Sequence, residues 1–310
     1  MKSFIKNKKI KSLLLVLIIV LVLVNTSIYN KFILVEAKKN SNNYNRELAR
    51  EYAIKWAMSV NKKYYNYIND GGDCTNFVSQ VLRAGGMEFV GTKKNATSIN
   101  SWFYYSSDLP NRTSTWTSAN AFNLHFGKEG KRVYKYREYK IEDALKKWDD
   151  IYSSIYAGDI VQYSRPNNIA FHSQAITDVI DNDTIYFSQH SNSIENFYKN
   201  GNLKYYLLGK PNDYNLLVYN IKEEKSLNNG MRNKALETEK NYNKELKEAI
   251  EIIRISIEDT RFDNKDYKNE ETDEFINKME KRVEDIELQM NMRSRSSKEL
   301  LESLMDRNGL

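Results

Sequence analysis

Gly71-Gly72-Asp73-Cys74-Thr75-Asn76-Phe77-Val78-Ser79-Gln80 holds the only cysteine of the 310-residue chain. A glycine pair followed by Asp73, a favoured N-cap type, reads as a turn into a helix. From Cys74 the apolar positions are Cys74, Phe77, Val78, Val81 and Leu82, the spacing of one buried helix face. Ala84-Gly85-Gly86 supplies a left-handed stop. Cys74 therefore falls in the first helical turn, on the inward face. Free N–H groups there favour a thiolate, the nucleophilic form of cysteine, and can hold a developing oxyanion. The alternative is a buried thiol that serves only as a small hydrophobe. With one cysteine, no intramolecular disulfide can form.

Upstream, Tyr44 to Ser59 has helical spacing at Leu48, Ala49, Tyr52, Ala53 and Trp56. Asn61 to Asp70 is polar, tyrosine-rich and reads as a loop. Residues 1–37 form a leader: a lysine-rich start, then Ser12 to Val24, almost purely Leu, Val and Ile. This is the pattern of a signal peptide or an uncleaved membrane anchor, and it places the rest of the chain in a secreted or cell-surface location. The formal net charge is +6. The leader holds six lysines against Glu36, so the remainder is close to neutral and gives no argument for nucleic-acid binding.

Downstream, Ala157-Gly158-Asp159 opens a strand, and two more, His172 to Ile180 and Thr184 to Gln189, form a hairpin about Asp181-Asn182-Asp183. A turn centred there sets His172 opposite His190 or Asn192 on one face of the ribbon. Cysteine-dependent hydrolysis needs a thiol, an imidazole to take its proton, and a group that fixes the ring's tautomer. Cys74, His172 and then His190, with Asn192 as the alternative third member, supply that set. His125, in a helical context, reads as structural. The spacing of the histidines and aspartates matches no zinc signature, and no cofactor is expected.

The cysteine decapeptide, Tyr44-Asn45-Arg46 with Ala49, Tyr52-Ala53, Trp56 and Asn61, and the later Ser101-Trp102-Phe103-Tyr104-Tyr105 and Ser114-Thr115-Trp116 together resemble the putative amidase domain family of Firmicutes. That family is related to the CHAP amidases and the NlpC-type cell-wall peptidases. The resemblance covers roughly Tyr44 to Asn192. It implies an α+β, papain-like fold, with the cysteine helix packed on an antiparallel sheet, and an exported cysteine hydrolase acting on an amide bond of a cell-wall peptide. It also implies a contact between Asp73 and a substrate amine. Trp102 and Trp116 are candidates for lining a substrate cleft, or else wedges in the core. The same residues suit an acyltransferase or a catalytically silent binding module.

The domain reading is residues 1–37 as leader, 38–222 as the amidase domain and 223–310 as a charged helical extension. In the extension, Lys234 to Ile257 is helical in pattern and Asp263 to Asn269 reads as a polar break. Ile276, Met279, Val283, Ile286 and Met290 then step by three and four, a short coiled-coil seam. Residues 270–305 are thus either a self-association element or an appendage packed within the chain.

Overall fold

The computed structural model describes residues 43–130, 132–180, 183–223, 241–292, 295–308 and 310; the leader lies outside the described residues. The fold is mixed α and β. Its centre is a six-stranded antiparallel sheet of order β1-β6-β2-β3-β4-β5. The strands are β1 (Lys135–Lys140), β2 (Ile160–Ser164), β3 (Ala170–Ile180), β4 (Thr184–Gln189), β5 (Tyr198–Asn202) and β6 (Asn215–Asn220). The central strands are buried on both faces, so successive side chains serve two cores.

One core holds Ile160, Ala175, Leu217 and Tyr219 against α1 (Arg46–Trp56) and α2 (Cys74–Ala84), with Trp102 and Trp116 from the aromatic segment. That segment continues through two short helices, α3 (Ser114–Thr117) and α4 (Ala119–Phe122). The other core holds Val161, Tyr163, Ile176, Leu216 and Val218. It is roofed by α5 (Ile141–Lys146), α6 (Trp148–Tyr152), α7 (Leu203–Leu208) and, from the described residues of the extension, α8 (Tyr242–Tyr267), α9 (Glu270–Met292) and α10 (Ser297–Met305).

Helix α1 starts where Asn45 Oδ1 accepts the Leu48 N–H at 3.1 Å. It is fixed to the sheet through Asp159. The Arg46 guanidinium meets Asp159 at 2.6 Å with both side chains buried, and the same carboxylate accepts the N–H groups of Ile221 and Tyr156. The Gly-Asp pair before β2 is therefore a structural hub. Gly158 has φ +82° with its would-be Cβ 3.3 Å from Arg46 backbone atoms, a position that only glycine fills without strain.

The extension departs from its sequence pattern at one point and follows one of its two readings at another. Asp263 to Asn269 is largely helical: α8 runs through to Tyr267 and ends at Lys268, a left-handed residue. Asp263 and Asn264 look polar in sequence because they have polar duties: Asp263 pairs with Arg165, and Asn264 holds both the N–H and the C=O of Asn269. The α9 seam, Ile276, Met279, Val283 and Ile286, is buried within the chain beside Ile253 of α8 and Leu300 and Leu304 of α10. Full burial of each such side chain is worth about 1.5–3 kcal/mol. The seam thus joins the core of the sheet's second face.

The β3–β4 hairpin contains the feature that decides the site. Near the turn, Ile180 pairs with Thr184, Val179 with Ile185 and Asp178 with Tyr186. Thr177 is then passed over, and Ile176 pairs with Phe187 and Ala175 with Ser188. This β-bulge moves the register by one residue and so exchanges the faces of everything beyond it. The turn register alone would set His172 opposite Asn192, with His190 on its face. The shifted register puts Ser191 opposite and brings Gln189 to that face.

Candidate active site

Cys74 opens α2, as its sequence predicts. Gly71 and Gly72 have φ +98° and +103°, values that favour glycine, and they turn the chain into the helix beside Ser191, whose carbonyl accepts the Asp73 N–H at 3.1 Å. Thr75 Oγ1 lies 2.9 Å from Ser173 Oγ on β3. Gln162 Nε2 donates to the same Ser173 oxygen at 2.8 Å. The start of the helix is thereby fixed to the middle of the sheet, next to His172.

The Cys74 thiol and the His172 ring line one cleft and act on each other electrostatically, while the thiol's hydrogen-bond contact is Thr75 Oγ1 at 3.7 Å. Burial pushes the thiol up, but the neighbouring His172 side chain and its charge, Thr75 Oγ1 and the Ser173 backbone outweigh it and hold the thiol below the ordinary range. Burial pulls His172 down, as does the charge of Lys210. The Asp259 carboxylate and the Cys74 thiol outweigh both and raise it. The two shifts together favour a thiolate–imidazolium pair.

The other ring nitrogen, His172 Nε2, donates to Gln189 Oε1 at 2.9 Å. The orientation of the Gln189 amide follows from its neighbours. Its Nε2 donates to the Asn196 carbonyl at 2.9 Å and to Asp259 Oδ2 at 3.0 Å. Its Oε1 also accepts from Gln174 Nε2 at 2.6 Å, and Gln174 in turn accepts from the Tyr163 hydroxyl. This chain fixes the proton of a neutral His172 on Nε2 and leaves Nδ1 free to take the thiol proton. The ring packs against Tyr163 and Tyr206, with centroids 6.1 and 6.0 Å away, and those two rings pack on each other at 5.1 Å.

Asp259 comes from α8. It lies 3.6 Å from His172 Nε2, accepts from the Tyr206 hydroxyl at 2.7 Å, and accepts from Ser191 Oγ. Neither Gln189 nor Asp259 stands out in the sequence. Gln189 sits directly before His190 and is brought in by the bulge. Asp259 is one of many acids on a charged helix, far from the cysteine motif.

His190 is not on the His172 face. Its Nδ1 meets Asp73 Oδ2 at 2.6 Å and its Nε2 meets the Trp56 carbonyl at 2.8 Å. Its ring is stacked between Phe77 and Phe197, with centroids at 4.2 and 3.8 Å. With both nitrogens engaged there, it ties α1, α2 and β4 together, and the place beside His172 belongs to Gln189. Asn192 lines the cleft next to Ser191, its Oδ1 2.9 Å from Ser191 Oγ.

Asp73 departs from both of its sequence readings. Its side chain makes no cap bond to α2. It is buried, and accepts from the Tyr67 N–H and Asn76 Nδ2 besides meeting His190, so it braces the turn and does not face the cleft. Trp102 and Trp116 are also fully buried. Their indole N–H groups donate to Ser79 Oγ and Asn76 Oδ1 on α2, and their rings pack on each other at 4.9 Å. They are core wedges that set the position of the cysteine helix. His125 is buried as well, with Nδ1 bonded to the Ile99 carbonyl, in keeping with its structural reading.

Cys74 and His172 sit at the base of a cleft of ≈ 730 Å³. One wall is the 65–72 loop, another the 107–120 segment with Arg112 and Asn120. The third comes from the extension: Phe262, Asp263 and Asp266 of α8, with Arg165 paired to Asp263 at 2.9 Å. Its lining mixes carboxylates, guanidinium groups and aromatic rings.

Comparison with known proteins finds relatives for part of the chain. The family described as "Putative amidase domain" matches residues 43–213. The uncharacterized protein YjcM of Bacillus subtilis (strain 168) is 32% identical over 126 residues, 41% of this chain and 24% of that protein. The chain thus spans about a quarter of that relative's length. No solved structure matches the chain. With more than half of its residues inside the family's pattern, the chain belongs to the putative amidase domain family.

Proposed function

We propose that this protein is a cysteine-dependent amide hydrolase with a papain-like catalytic arrangement. Membership of an amidase family supplies the bond class. The observation that carries the cysteine mechanism is the Cys74–His172 pair at a helix start, with the imidazole locked by Gln189. His172 Nδ1 takes the Cys74 proton, and the thiolate attacks the amide carbonyl to form a tetrahedral adduct. The first-turn N–H of Cys74 faces the developing oxyanion. The adduct collapses as His172 returns the proton to the leaving amine. Water, activated by the same imidazole, then hydrolyses the thioester and restores the thiol.

The substrate we propose is an amide within a cell-wall peptide, reached after export through the leader at residues 1–37. The open cleft with charged walls suits a peptide that carries both carboxylate and ammonium groups. The test is release of new amines from purified peptidoglycan, with the products identified by mass. Wild type should release them, and Cys74→Ala should fall by at least ~10³-fold, the scale of losing a covalent nucleophile. Equal release by Cys74→Ala would overturn the assignment of the nucleophile.

A further inference from the structure

The family pattern ends at residue 213, yet the carboxylate behind the imidazole stands at residue 259. We infer that the C-terminal helices are part of the active site, and that Asp259 of α8 is a positioning residue that holds Gln189 on His172 and places a fixed negative charge beside the ring. This inference rests on the Cys74–His172 reading above.

The geometry is specific. Asp259 Oδ2 receives Gln189 Nε2 at 3.0 Å and the Tyr206 hydroxyl at 2.7 Å, and stands 3.6 Å from His172 Nε2. Its other oxygen accepts from Ser191 Oγ. The carboxylate thus reaches three sheet-side partners (Gln189, Ser191 and, through α7, Tyr206) and is only 4% exposed. A buried carboxylate is costly unless it is fully bonded or faces a cation. Here the bonds are made by residues around the histidine, and the basic side chain 3.6 Å away is the histidine itself.

The helix is held in place for this. Arg165, at the end of β2, pairs with Asp263 one turn further along α8. Lys210, after α7, is buried with its Nζ on the Ser256 carbonyl and Thr260 Oγ1 of the same helix. The groups facing His172 are then Cys74 from α2, Asp259 from α8, Lys210, and the hydroxyl-bearing rings of Tyr163 and Tyr206. Lys210 opposes the imidazolium and Asp259 favours it. In this account α8 completes a constellation begun by the sheet, and the amidase segment alone lacks the charge that steadies its base.

The experiment is the rate of Cys74 alkylation by iodoacetamide against pH, on the full chain, in wild type, His172→Ala, Asp259→Asn and Asp259→Glu. Loss of a negative charge beside the ring lets the imidazolium proton leave at lower pH. Asp259→Asn should therefore move the upper inflection of the profile down by about one pH unit and lower the thiolate plateau, while Asp259→Glu recovers most of the wild-type profile. A merely structural role would change the melting temperature and leave the inflection in place, and that result overturns the inference. A wild-type profile indifferent to His172→Ala overturns the dyad and this inference with it. If Asp259→Asn does not fold, the His172 imidazole is titrated by NMR in Cys74→Ala, where no thiolate can raise it. A value above the ordinary ~6.5 supports the charge of Asp259, and a value at or below ~6.5 contradicts it.

Discussion

The His172 Nε2–H donates to Gln189 Oε1 at 2.9 Å, and a single bulge at Thr177 is what brings these two side chains to one face of the sheet. An amide carbonyl in this place does what a tautomer lock requires: it accepts from one ring nitrogen and leaves the other unprotonated for the thiol. Replacing Gln189 with Ala should lower kcat about 10- to 100-fold, with KM little changed, because the loss falls on proton transfer more than on substrate binding. Steady-state kinetics on a cleavable peptide check this. A change confined to KM would place Gln189 in the substrate site.

His190 should behave as a structural residue. It is 1% exposed, bonded to Asp73 and the Trp56 carbonyl and stacked between Phe77 and Phe197. His190→Ala leaves a cavity and takes the partner from Asp73 Oδ2, and should cost about 2–4 kcal/mol in urea unfolding. The folded fraction should keep the wild-type pH profile of thiol alkylation. Loss of that profile at unchanged stability would return His190 to the catalytic group.

His125 should make the fold acid-sensitive. Burial, together with the charge of Arg132, lowers its pKa to about 3, against the bond to the Ile99 carbonyl, which raises it. The folded value lies below the unfolded one, so the unfolded chain takes up the proton first as pH falls. The contribution is complete above the unfolded value of ~6.5 and is lost on acidification towards about 3, at up to ~1.4 kcal/mol per pH unit. Urea midpoints measured from pH 7 to pH 4 should fall more steeply in wild type than in His125→Gln. Parallel slopes would show that His125 is not the source.

Much of this molecule is legible in the residues alone. The cysteine helix, the hairpin strands and the apolar stripes of the extension follow from periodicity, because each buries one face and repeats it locally. The places where the sequence misleads are those where a local pattern meets a distant partner. Thr177 carries no mark of the bulge, yet it exchanges His190 for Gln189. Asp73 is a good capping type, but the Tyr67 N–H, Asn76 and His190 bind it more fully than the helix end would. Trp102 and Trp116 have the composition of a binding surface and the burial of a core, a distinction set by tertiary packing. Asp259 lies just past the helical pattern of Lys234 to Ile257, and only the run of α8 to Tyr267 across the sheet's second face shows its place.

The claim on which the rest depends is that Cys74 and His172 form an ion pair. The direct measurement is the rate of Cys74 alkylation from pH 4 to pH 9, in wild type and in His172→Ala. The account predicts fast alkylation well below pH 8 in wild type, lost in the variant, which should follow an ordinary thiol near ~8.5. Identical profiles, or a thiol that reacts only as the chain unfolds, would contradict it.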